Sequence, residues 1–468
     1  MRLGIWLVFV TLLAGCARGQ APTATVSADV AAPTPATDTE VAPAGTEQPV
    51  SAATDTAEPA PADTPTLAAS PTEAPSPTLP PATEAPPPTA TTEPSATEAA
   101  MEEPGAPTAT ATESEPATPE GEASPEVELS PSATAAAPAL SEDLTELPAA
   151  VYAEGLDQPV ALAWAPDGRL FVAELVTGRV RVAGPDGQVQ TQPVAEFRVA
   201  HPPGYSEHGL LGLALHPAFD ENHLVYVFYS VPGDGGQPVK QVIARFREEG
   251  GLAAEEPQIV VDDLPVGPNC CHNGGRIAFG PDGKLYVTVG DTQDSSLAQR
   301  SDELAGNVLR YNDDGSVPDD GPFGAGNPVW AIGLRNPFGL AFDRESDELF
   351  LTENGPGEND EVNVIAAGSN YGWPEVTGVA GGGSFVDPIW VIGNTVAPTG
   401  IAIYRGNVLP GASGDLFFCN WNDGLLRQLE HDGSNERAIF DECLTDVVEG
   451  PDGALYVAGQ GSIWRIGP

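Results

Sequence analysis

Short apolar stretches, each entered through a tight polar turn, recur along the C-terminal two-thirds of the chain. They read "APDGRLFVAE" from Ala165, "ENHLVYVFYS" from Glu221, "GPDGKLYVTVGD" from Gly280, "ESDELFLTENG" from Glu345, "SGDLFFCNWNDG" from Ser413 and "GPDGALYVAGQG" from Gly450. In the Pro-Asp-Gly turns, proline presets φ and glycine accepts the positive φ that the turn demands. The stretch that follows alternates or is apolar throughout, as a strand buried on one or both faces does. Its leading residues are Leu170, Leu224, Leu285, Leu349, Leu416 and Leu455, spaced 39 to 67 residues apart. That is the period of propeller blades with inserted loops. Six occurrences predict an all-β domain, a six-bladed β-propeller, over residues 148–468. Long amphipathic helical patterns are missing, which argues against an α/β fold.

Upstream the pattern vanishes. Residues 17–147 are almost entirely Ala, Pro, Thr, Glu and Ser, without one aromatic residue. Such a segment buries too little apolar surface to offset the entropy of ordering, and is expected to be a disordered, semi-stiff tether. Before it, Arg2 precedes an apolar run from Leu3 to Leu13 that is too short to span a bilayer and fits a signal-peptide core. The run ends Leu13-Ala14-Gly15-Cys16, which resembles a bacterial lipobox. The expectation is that residues 1–16 direct export, and that acylated Cys16 anchors the protein to the membrane, facing outward from the cell envelope.

Charge narrows the partners. The formal net charge is −48, nearly half of it from the tether, and the only lysines are Lys240 and Lys284. Neutralising nucleic-acid phosphates takes clustered Lys and Arg, so nucleic acid is excluded as a partner. Besides Cys16 there are four cysteines, and an even number in an exported chain suggests disulfides. Of the three possible pairings, Cys419 with Cys443 and a vicinal Cys270–Cys271 bridge are favoured. CxxC spacing is absent, which argues against zinc.

Chemistry is expected where loops converge at one end of the strands. His272 lies in a glycine-rich turn, His272-Asn273-Gly274-Gly275, that enters a strand; glycines let backbone approach a ligand, and an imidazole suits removal of a hydroxyl proton near neutral pH. Arg335 and Asn336 offer a fixed fork and an amide. The Gly355-Pro356 turn exposes carbonyl oxygens, the hard ligands calcium prefers.

Together "RNPFGLAFD" from Arg335, "ENGPGENDEVN" from Glu353 and "NYGWP" from Asn370, with the His272 turn and the segment after Ser206, resemble the glucose/sorbosone dehydrogenase family of PQQ-dependent sugar dehydrogenases. The resemblance covers residues 147–468. It implies oxidation of an aldose or related sugar, with hydride passing to PQQ and electrons going on to an acceptor that the sequence does not identify. It implies that His272 is the general base, that Asp291 orients it, and that Arg335 stabilises charge on the quinone. Glu207, Asn336 and Trp390 match positions at the cofactor or substrate. The carbonyls of Gly355 and Pro356 match a calcium site, and Asp360, Glu361 and Tyr371 a second one. The soluble glucose dehydrogenases also place a Lys and two Arg in late blades, where this chain has Asn422, Cys443 and Thr445. Arg276, Arg405 and Arg427 are the candidate replacements. That departure keeps an alternative open: a propeller that binds carbohydrate or protein without PQQ.

Replacing Cys16 with Ser is expected to move the protein from the detergent phase to the aqueous phase in phase partitioning of cell envelopes. Unchanged partitioning would rule out the lipid anchor.

Overall fold

The computed structural model describes residues 147–468 apart from Tyr205. The expected signal peptide, Cys16 and the expected tether up to residue 146 lie outside the described residues. Six antiparallel sheets follow one another along the chain. The innermost strands are Pro159–Trp164, Leu210–Leu215, Ile277–Phe279, Pro337–Phe342, Pro398–Ile403 and Val447–Glu449. Each touches the innermost strand of the next sheet, and the sixth touches the first, so the sheets form a closed ring. The fold is a six-bladed β-propeller.

The apolar stretches that announced the blades are their second strands. Leu170–Glu174, Leu285–Val289, Leu349–Glu353, Leu416–Asn420 and Leu455–Ala458 are buried along their whole length. A strand flanked by two others and sandwiched between neighbouring blades has no solvent face, which is why these runs hardly alternate. In the second blade Leu224 is half-buried and burial begins at Val225. The sixth blade is completed by Ala149–Glu154, which pairs antiparallel with Ser462–Ile466 at the other end of the described chain.

Crowding near the axis selects small residues. A Cβ at Gly339 would stand 2.2 Å from the Thr399 carbonyl oxygen, and one at Gly400 would stand 2.0 Å from Asp446 Oδ1. Across this centre reaches Arg276 of the third blade. Its Nη1 lies 3.1 Å from Asp446 Oδ2, its Nη2 donates to the carbonyls of Val160 and Thr445, and its guanidinium lies 5.7 Å from the Phe338 ring centroid. Asp446 also accepts the Leu162 N–H at 2.8 Å. One buried ion pair thus ties the first, third and sixth blades.

Both disulfides are formed. Cys419–Cys443 joins the second strand of blade five to the loop entering blade six, and Cys270–Cys271 closes on itself beside His272. The first closes a loop of 24 residues in sequence separation, worth about 3 kcal/mol in the chain-entropy account.

Asp446→Ala leaves Arg276 buried without its counter-charge. It is expected to lower the unfolding free energy by about 3–5 kcal/mol, measured by urea denaturation.

Candidate active site

Residues just before the inner strands and just after the second strands gather at one end of the ring. Gln158, Glu207, Phe338, Asn354, Trp421 and Thr445 line a mouth there, with a cavity of about 140 Å³. His201 and Ser206, from the loop between blades one and two, close one side.

His272 stands in the loop entering blade three, next to the mouth through Glu207 rather than among its lining residues, with φ +64°, followed by Gly274 and Gly275 at +64° and +102°. This left-handed run lets the loop cross tightly over the strand end: a Cβ at Gly290 would sit 2.2 Å from the His272 carbonyl oxygen. Asp291, fully buried at the end of the second strand, receives His272 Nδ1 on Oδ1 at 2.6 Å. With a carboxylate facing it, Nδ1 carries the proton, and Nε2 keeps its lone pair for a substrate. Asp291 Oδ1 also accepts the Gln293 N–H, and Oδ2 accepts Trp373 Nε1 at 2.9 Å.

The two neighbouring blades lock this loop in place. Glu207 accepts the His272 N–H on Oε2 at 2.8 Å and the Asn336 side-chain amide on Oε1 at 3.2 Å. Burial pushes the Glu207 carboxyl up, against the pull of His272. Glu353, the last residue of its strand, accepts the N–H groups of Arg335 and Asn336 on one oxygen, at 2.7 and 2.8 Å. Arg335 then turns its guanidinium back over the next turn, donating from Nη1 to the carbonyls of Asn354 and Gly355 at 2.8 and 2.9 Å.

Behind that turn lies a second cavity of about 10 Å³, room for one water or ion, lined by Glu353, Gly355, Pro356, Glu361 and Tyr371. Glu353 Oε2 is buried and has no hydrogen-bond partner. Burial, and then the charge of Glu361, hold the Glu353 carboxyl well above its usual range; burial raises Glu361 as well. An orphaned carboxylate oxygen in a cavity of this size, with a second acid and the Gly355-Pro356 turn around it, suits a hard divalent cation.

The Asp360 side chain is engaged by backbone: Oδ1 accepts the Gly355 N–H at 2.8 Å, and Oδ2 accepts those of Val396 and Ala397 at 2.6 and 2.8 Å. It staples the turn at Gly355; the expected calcium site draws partly on main-chain oxygens, which these side-chain bonds do not involve. One sequence expectation needs correcting here. Trp390 is not at the mouth. It lies on the outer strand of blade four and packs against blade five, 5.2 Å from the Phe418 ring, and donates Nε1 to Glu436. Trp421 at the mouth and Trp373 beside Asp291 are the tryptophans of the site. The Tyr371 hydroxyl is engaged by Val364 and Ala366, which leaves its main-chain oxygen for a cation. Glu353 and Trp373 stood within the motifs quoted above; their position directly after a strand and inside "NYGWP" was the available signal.

The model of the family described as Glucose / Sorbosone dehydrogenase matches residues 156–465. The chain belongs to this family. Aldose sugar dehydrogenase of Escherichia coli is 30% identical over 361 residues, covering 70% of this chain and 96% of that protein. The PQQ-bound form of aldose sugar dehydrogenase from Streptomyces coelicolor superposes with a TM-score of 0.60 at 29% identity, covering 69% of this chain and 98% of that one. Human Hedgehog-interacting protein is 28% identical over 223 residues, 42% of this chain and 31% of that protein.

Glucose/sorbosone dehydrogenase family membership raises the question of whether this mouth fits PQQ, whose three carboxylates call for positive charge. The late blades supply none. Asn422 donates to the Thr395 carbonyl, Thr445 to that of Pro159, and Cys443 is in a buried disulfide. Arg405 is held by Asp343 and Glu345, Arg427 by Asp423 and Glu436, and Arg276 by Asp446. Arg335 is the guanidinium beside the His272 loop, and the turn at Gly355 and Pro356 with Glu353 could hold a divalent cation next to it, so with that cation in place these residues could hold the group.

Calcium is expected to raise the thermal midpoint of the wild-type protein, and Glu353→Gln to lose most of the increment, read by scanning fluorimetry with and without chelator. At about a hundredfold excess over Kd the gain is about 2.7 kcal/mol, or roughly 5 °C for a domain of this size.

Proposed function

We propose that this protein oxidises an aldose or related sugar in a PQQ- and calcium-dependent reaction, as an exported protein lipid-anchored to the outer side of the cell envelope. The observation that carries the reading is the His272–Asp291 hydrogen bond of 2.6 Å, beside an Arg335 whose guanidinium lies over carbonyls suited to a metal. PQQ, when bound, supplies the acceptor for the hydride that leaves the sugar carbon.

The chain's own residues do the rest. His272 Nε2 takes the proton of the C1 hydroxyl while Asp291 stabilises the imidazolium that forms. The C1–H pair departs as hydride, so the sugar loses two electrons and two hydrogens and becomes a lactone. Arg335, with the Gly355 and Pro356 turn where a calcium would be held, would stabilise the negative charge that the cofactor takes up when bound. Glu207 and Asn336 fix the loop that carries the base. Trp421 offers a flat face at the mouth for a sugar ring or the cofactor. Electrons leave to a separate acceptor, since the chain has no haem-attachment CxxCH motif.

A second reading is favoured by the absence of a cation at Asn422, Cys443 and Thr445: a propeller that binds carbohydrate or protein at the same mouth without redox chemistry. One experiment separates the two. Purified protein loaded with PQQ and calcium is expected to reduce an artificial dye in the presence of aldoses, and His272→Ala to lower kcat by about a hundredfold to ten-thousandfold. Failure to retain PQQ at any calcium concentration would overturn the dehydrogenase reading and support the second.

A further inference from the structure

The base and the charge-stabilising arginine sit on different blades, yet one side chain reaches both. Trp373 donates Nε1 to Asp291 Oδ2 at 2.9 Å. The Arg335 guanidinium lies 5.5 Å from the centroid of the same indole. We infer that Trp373 is a positioning residue that fixes the Asp291 carboxylate against His272 and sets the guanidinium of Arg335 with the same ring; the inference rests on the reaction proposed above.

Asp291 is fully buried, and its two oxygens are used differently. Oδ1 takes His272 and the Gln293 N–H. Among the described residues the indole is the donor that satisfies Oδ2. Without it, a buried carboxylate oxygen loses its partner, and the cheapest relief is rotation of the carboxylate away from the imidazole. His272 would then lose the bond that fixes which ring nitrogen carries the proton. Pairing of the guanidinium with the indole face is attractive and independent of the N–H bond, so the ring contributes to Arg335 by a separate route.

The rest of the loop has the stiffness such a role needs. The Trp373 N–H donates to the Gly333 carbonyl at 3.0 Å, and its own carbonyl accepts Gln299 Nε2 at 2.7 Å. Gln299 and Asn370 exchange side-chain amide bonds at 3.0 and 2.7 Å, and Asn370 Oδ1 also takes the Gly372 N–H. A side chain at Gly333 would collide with Asn370 Oδ1 at 2.3 Å, so the loop lies directly against the strand that leads to Arg335. The indole is thus clamped at its backbone before it touches either functional group.

The test uses Trp373→Phe, which keeps a ring under Arg335 and removes the N–H, and Trp373→Leu, which removes both. Trp373→Phe is expected to lower kcat about tenfold to a hundredfold with KM nearly unchanged, the size typical of losing a supporting hydrogen bond behind a working group. In an Asp291→Ala background the same change is expected to add little, because the two act through one bond. Trp373→Leu is expected to fall further and to weaken cofactor retention through Arg335. A second readout needs no turnover: nitrogen-15 spectra of the His272 ring, identified by their loss in His272→Ala. The wild type should show one tautomer protonated at Nδ1, and Trp373→Phe a mixture. Should Trp373→Phe fail to fold, a benzothiophene amino acid at 373, which replaces N–H by sulfur in the same shape, gives the same two readings. Unchanged kcat and an unchanged tautomer would overturn the inference. A tautomer shift in a protein inactive towards every sugar would support the positioning role and overturn the dehydrogenase reading alone.

Discussion

The bond between His272 and Asp291 depends on strand register. In blade three, Ile277 pairs with Val287 and Phe279 with Leu285, so the chain before the inner strand and the chain after the second strand end at the same height. A slip of one residue would turn every side chain on the second strand to the other face and carry Asp291 with it. That register is held in turn by burial on both faces: Leu285, Val287 and Val289 on one, Tyr286 and Thr288 on the other, have no solvent to turn towards. The packed wall between blades therefore fixes where an imidazole meets a carboxylate, and loop chemistry only refines it.

Acids are plentiful around the mouth, and most are occupied by backbone. Glu207, Glu353 and Asp360 each receive N–H groups from neighbouring loops. Buried carboxylates bonded in this way act as fixed joints between blades, at the cost of desolvation that raises their affinity for protons. The same cost makes the site receptive to a cation: Glu353 keeps one oxygen without a donor in a space sized for an ion. Positive charge is scarce, so the mouth is electrostatically incomplete until something cationic enters.

Much of this was legible in the residues, and the exceptions share a cause. The blade count followed from turns that only certain residues can make, repeated at propeller spacing. His272 and Asp291 were accessible because both lie one short step from a recognisable strand. Trp390 was placed by the resemblance alone, and the outer strand of blade four runs only Trp390–Ile392, too short for alternation to show that its side chain turns to blade five instead. The backbone partners of Asp360 were not legible, because an acid in a turn looks alike whether it faces an ion or three backbone N–H groups; only the fold brings Val396 and Ala397 to it. The missing late-blade cations were visible from the start, since a residue type that is absent needs no geometry to be noticed. That the substitute arginines were already paired was not, because their partners come from other parts of the sheets.

The sixth blade has a consequence for biogenesis. Its outermost strand, Ala149–Glu154, comes from the beginning of the described chain and fastens onto Ser462–Ile466 from its end. A polypeptide made with its N-terminus leading delivers Ala149–Glu154 first and Ser462–Ile466 last, so the clasp stays open until the later strand has emerged. Until it shuts, two sheet edges stand unpaired and open to another chain. The circle completes in a single late event. Any pull through the residues leading into Ala149 falls first on that fastening, ahead of the core.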